Sequence, residues 1–148
     1  MSKPAKQTLH RDGWLKKALD VLFSHGINSV KVEILARELD VTKGSFYWHF
    51  KNREELLHDM VNWWRDKQIE FIDGLDVLHI TDAPNLIKSV IEFTHHTDDS
   101  RHDVAMREFA RFDKYAAVAV AEIDRRRIEY LRSEERRVGK ECRSRGSP

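Results

Sequence analysis

A chain of 148 residues with 41% hydrophobic side chains holds one domain's worth of core, or a small domain and part of a second. Its 26 Lys+Arg against 25 Asp+Glu leave a formal net charge of +1, so it is no polycation, and any nucleic-acid contact must rest on a local basic face. The lone cysteine, Cys142, excludes a disulfide framework, and no apolar run approaches the ~20 residues that span a bilayer, so a cytoplasmic chain with no membrane contact is the expectation.

Apolar residues recur at helical spacing, and no paired alternating runs flank a hairpin turn. Trp14, Leu15, Ala18, Leu19, Leu22 and Phe23 define one broad face of a first helix, and Gly26 is its stop. A shorter helix over residues 31–39 places Val32, Leu35, Ala36 and Leu39 on one side. Asp40-Val41-Thr42 breaks it, and Thr42 is the candidate N-cap of a third helix over 43–50. Asn52 with Glu55 three residues on is a capping-box-like start. It opens a long helix carrying Leu56, Leu57, Met60, Trp63, Trp64, Ile69 and Ile72 towards Gly74. A helix over 83–97 follows, with Pro84 in its first turn. A polar turn, Asp98-Asp99-Ser100, then leads to helices over 103–112 and 114–131.

The apolar spacing stops near Leu131. Residues 132–148 carry six basic and three acidic side chains, and Val138 is their one aliphatic residue. Such a run reads as a basic, disordered tail. It also resembles the in-frame translation of a sequencing-library adapter, apart from Gly146, and on that reading it carries no biology and packs against nothing.

The chemistry sits in the second and third helices. A helix, a three-residue turn and a second helix of about two turns is the helix-turn-helix pattern, whose second helix fits the DNA major groove. Ala36 is small where the helices approach, Val41 plugs the turn, and Asp40 stands where the chain often needs a left-handed residue. Phe46 and Phe50, four apart, face the core; Lys43, Tyr47 and Lys51, also spaced by four, share the opposite face. Gly44 lets a partner approach the backbone closely.

The stretch VEILARELDVTKGSFYWHFKNREELL resembles the DNA-binding signature of the tetracycline-repressor (TetR/AcrR) family of bacterial transcriptional regulators. The matching residues are Lys43, Gly44, Phe46, Tyr47, His49 and Phe50, with the cap at Asn52. Asp40 departs from a usual Gly, Lys31 from a small hydroxyl residue, and Glu33 from a frequent Arg. The resemblance implies an all-α protein: a helix-turn-helix DNA-binding domain over residues 8–68, with its motif at 31–50, then an incomplete helical ligand and dimerisation domain over 69–131. It implies a ligand-responsive repressor that binds a palindromic double-stranded operator as a homodimer and answers to a small-molecule effector. Lys31, Thr42, Lys43, Gly44, Ser45, Tyr47, Trp48, His49 and Lys51 are the candidate DNA contacts. Trp48 is open between half-buried core and a thymine-methyl contact.

Residues 1–68 hold twelve basic against nine acidic side chains, and residues 69–131 eight against thirteen, so the DNA-facing part is expected to be the positive one. Ending near Leu131, the chain as written is expected to be a monomer or weak associate with an apolar strip exposed around Val118, Ile123 and Ile128. His95, His96, Asp98, Asp99, His102 and Asp103 are of metal-ligand types but lie across a turn, and they read as a solvated loop. Arg125, Arg126 and Arg127 read as a solvated helix face. No nucleophile elbow, phosphate loop or zinc motif occurs, so neither catalysis nor a cofactor is expected. The alternatives to a regulator are a helical interaction protein that does not bind DNA, or a fragment without regulatory function.

Overall fold

The computed structural model describes residues 10–77 and 98–144. They form α1 (Arg11–His25), a 3-10 turn (Ile27–Ser29), α2 (Val32–Glu38), α3 (Lys43–Tyr47), α4 (Arg53–Val77), α5 (Asp98–Ala110) and α6 (Lys114–Ser144). The described residues contain no strand, and the helix expected over 83–97 lies outside them.

α1 buries Trp14, Leu15, Ala18, Leu19 and Leu22 as their spacing demands, and Val21 with them, but Phe23 is 43% exposed. Gly26 ends it at φ 76°, its N–H bonded to the Leu22 carbonyl at 3.0 Å. α2 closes in a Schellman motif. Asp40 takes the left-handed φ of 51°, the Val41 N–H reaches the Ala36 carbonyl at 2.9 Å, and the Asp40 N–H reaches that of Arg37 at 3.2 Å. Val41 packs half-buried against the core, as a plug in the turn should.

α3 is a turn shorter than expected and ends at Tyr47. The Phe50 N–H still bonds the Phe46 carbonyl at 3.0 Å, so the two rings stay on one inward side. Phe46 meets Trp14 edge-on at 5.4 Å between centroids and Phe50 at 5.2 Å. Burying each ring stabilises the fold by roughly 2–3 kcal/mol.

Asn52 opens α4 as expected, its Oδ1 accepting the Glu55 N–H at 2.9 Å. The Glu55 carboxylate reaches back one residue further than a capping box would, to the Lys51 N–H at 2.7 Å. Gly74 does not stop the helix, which runs on to Val77. A glycine inside a helix costs only about 1 kcal/mol, and buried Ile72 and Leu75 hold the turn on either side.

Three further expectations fail. Asp98-Asp99-Ser100 are not a turn but the start of α5. The strip expected around Val118, Ile123 and Ile128 is broken. Val118 and Ile128 are 70% and 49% exposed, but Ile123 is fully buried, because it lies on the α6 face of Ala116 and Ala119. Finally, α6 does not end at Leu131 and leave a loose tail; it continues to Ser144. Glu134 within that extension is buried and ion-paired to Arg137 three residues on. Charged i,i+3 pairs of good helix formers prolong a helix without any apolar spacing.

α1 packs against both α4 and α5, and α6 lies along α4 and α5. One core therefore runs from Trp14 and Phe46 to Met106 and Ile123.

Candidate nucleic-acid interface

α2 packs on α1 and α3 packs on α2, which turns the outer side of α3 away from the core. Phe46 and Phe50 are buried, whereas Tyr47 is 63% and Trp48 is 88% exposed. Trp48 is thus outside the core, which removes the half-buried reading. Lys31, Thr42, Lys43, Gly44 and Lys51 are exposed too, and Ser45 and His49 are half-buried. The nine candidate contacts therefore all lie within the described residues, and none is fully buried.

Thr42 has the extended backbone of an N-cap (φ −80°, ψ 152°), yet its hydroxyl makes no cap hydrogen bond. Gly44 has no positive φ, and a Cβ placed on it would meet only the Thr42 Oγ1, at 3.8 Å. The fold itself does not need a glycine there. The missing side chain leaves bare backbone on the outer side.

The orientation of this surface is held by contacts that apolar spacing did not reveal. The Arg53 Nε donates to the Val30 carbonyl at 2.6 Å and its Nη2 to the Ile27 carbonyl at 2.8 Å. The turn before α2 is thereby tied to the first turn of α4. Arg11 pairs with Asp59 and lies 5.1 Å over the Phe50 ring. An Arg in the first turn of a helix, where cations are disfavoured by the dipole, was the available signal for Arg53.

Lys43 is not a free cation. Its Nζ sits 3.1 Å from Glu33 Oε1. The Glu33 carboxyl is held below its ordinary range by its own backbone N–H, then by the hydrogen bond and charge of Lys43, with Lys31 adding to the attraction. Lys31 and Lys43 thus both act on one carboxylate.

Behind the interface, His102 does not meet the expectation of a solvated loop. It is buried, and its Nε2 lies 2.8 Å from Asp20 Oδ1, joining α5 to α1. Asp103 is ion-paired to Arg107 at 2.9 Å and Arg127 at 2.9 Å. His95 and His96 lie outside the described residues. Of the three consecutive arginines, Arg125 and Arg126 are exposed, but Arg127 turns inward to Gln68 Oε1 at 2.5 Å. Arg107 also grips Asp124 with two nitrogens, at 3.0 and 2.5 Å. That pairing lowers the Asp124 carboxyl below its usual range and raises the guanidinium.

A helix closed by a left-handed turn, then a short helix with its aromatic pair inward and its basic and aromatic side chains outward, is a helix-turn-helix module of the DNA-binding class. Residues 15–60 match the family of bacterial regulatory proteins of the tetR type. That match lies within the amino-terminal unit and takes in α2, the turn and α3. Over 53 residues the chain is 38% identical to the uncharacterized HTH-type transcriptional regulator YuxN of Bacillus subtilis (strain 168), a match spanning 36% of this chain and 18% of that protein. The chain therefore covers about a fifth of the curated relative it matches. A crystal structure described as a transcriptional regulator, SCO7518 from Streptomyces coelicolor A3(2), superposes with a TM-score of 0.60 at 22% identity, over 84% of this chain and 74% of that one. That likeness extends the shared fold beyond the matched domain.

Proposed function

We propose that this chain is a DNA-binding transcriptional regulator whose third helix enters the major groove. The observation that carries the reading is the division of α3, with Phe46 and Phe50 buried while Tyr47 and Trp48 stand in solvent beside Lys31, Lys43 and Lys51. An exposed tryptophan and tyrosine at the end of a short helix are unfavourable unless a partner covers them. Bare backbone at Gly44 suits the close approach of a phosphate strand.

In this reading residues 8–68 bind DNA, with Lys31, Thr42, Lys43, Gly44, Ser45, Tyr47, Trp48, His49 and Lys51 as the contact set. The helices behind them, within 69–131, belong to a unit that receives a small-molecule effector. The buried His102–Asp20 bond and the α4–α6 packing join the two units, so a shift of α5 or α6 moves the DNA-binding head. The full regulator acts in the cytoplasm as a homodimer on a palindromic operator and represses its target. No described helix is long and apolar enough to cross a membrane.

A footprint on the DNA flanking the chain's own gene tests this. One protected, palindromic site is the expected result; uniform non-protection at low salt overturns the reading.

A further inference from the structure

The carboxylate of Glu33 stands among the lysines of the candidate contact surface, and it is not idle. Glu33 Oε1 is 3.1 Å from the Lys43 Nζ, and both side chains are 60% exposed. Neither is buried for the sake of the fold. Glu33 points its carboxylate back over the first turn of α2, where its own amide and Lys31 also attract it. It remains charged wherever the protein is folded at ordinary pH. The cation that stands at the very start of α3 is therefore already partnered before any DNA arrives.

We infer that Glu33 masks Lys43, so that phosphate binding by α3 must first displace a carboxylate, which weakens the hold on bulk DNA and flattens its salt dependence. The inference rests on the DNA-binding reading above. A lysine that moves from water onto a phosphate releases a condensed counterion from DNA. A lysine that leaves a carboxylate does so too, but the vacated carboxylate then draws cations towards it, so the net release is smaller. The bare Glu33 is also left facing a polyanion. An exposed ion pair is weak, so the mask can be opened, yet a few-fold change in affinity matters against non-cognate DNA. Sequence-independent affinity is what a regulator must suppress, since non-cognate DNA outnumbers its site by orders of magnitude.

A double-mutant cycle on the full chain tests the inference, using a labelled duplex of random sequence over a range of salt. Glu33→Gln is expected to tighten binding roughly twofold to fivefold and to steepen the fall of log affinity with log salt by up to about 0.9. Lys43→Ala is expected to weaken binding in the native background, and to weaken it more in the Glu33→Gln background, where it cancels both gains. Melting curves of all four proteins should coincide within a few degrees, because neither side chain is buried. Strictly additive effects of the two substitutions overturn the mask, since Glu33 would then act on DNA by net charge alone. So does unchanged binding by Glu33→Gln. Failure of all four proteins to bind duplex at low salt overturns the DNA-binding reading itself, and the mask falls with it.

Discussion

The head of the molecule and the helices behind it are held together by different physics. In the head, Trp14, Leu35, Phe46, Phe50 and Leu56 are almost wholly buried, and large aromatic rings meet edge to face. Behind it, α5 and α6 bury Phe109 together with mostly smaller aliphatic side chains: Ala105, Met106, Ala116, Ala119 and Ile123. Their alignment comes from a chain of charge-assisted bonds, Asp124–Arg107–Asp103–Arg127–Gln68, that runs across α6, α5 and α4. An aromatic core fixes one packing, because rings of that size fit one way. Charged networks at half-exposed sites are weaker per contact and can exchange partners. The aromatic half carries the candidate contact surface, and the half held by charged bonds lies behind it.

Core truncation in the head should produce the largest effect. Phe50→Ala removes a ring that is 2% exposed and should cost about 3–5 kcal/mol in denaturant unfolding. Tyr47→Ala, on the exposed side, should leave stability within about 0.5 kcal/mol while weakening DNA binding. Equal melting of the two variants would mean that the faces of α3 are reversed.

Arg127→Ala probes the rear. It strips a partner from Gln68, which is 4% exposed, and should cost about 1–3 kcal/mol. A larger loss than that of Phe50→Ala would erase the distinction between the two halves.

The acid limb of the stability curve sharpens it further. Asp124 is held below its ordinary pKa of 3.8 by Arg107, so its stabilisation is complete above that value and is lost as pH falls through the depressed one. Asp124→Asn should therefore be less stable than the native chain by about 1 kcal/mol near neutrality. In acid, with the native carboxyl protonated, the gap should close.

Gly44→Ala should have a small effect on folding and the most informative sign. Alanine fits the space and is the better helix former, so stability should rise by up to about 1 kcal/mol. DNA affinity should fall in the same protein. A parallel rise of both would remove the reason given for the glycine.

The head was largely legible in the sequence because its determinants are local. Gly26, Asp40, Asn52 and the Phe46–Phe50 spacing each act within a few residues, and each stands where its chemistry required. The helix limits were less legible. The α6 extension has no apolar stripe to announce it, and Gly74 is as compatible with a helix interior as with a stop. The rear network was not legible, since Arg127 meets Gln68 across 59 positions and His102 meets Asp20 across 82. Contacts at that range depend on how helices pack, which periodicity does not encode. At the interface, residue types pointed to the basic and aromatic set, but the Glu33–Lys43 pairing needed the packing of α3 on α2.

The central claim, that the outer side of α3 is a DNA-binding surface, is tested most directly by titrating the full chain against a duplex over a salt series. The account predicts a linear fall of log affinity with log salt, lowered in slope by about one in Lys51→Ala. Binding that ignores salt, or a Lys51→Ala protein with the native slope and affinity, would contradict it.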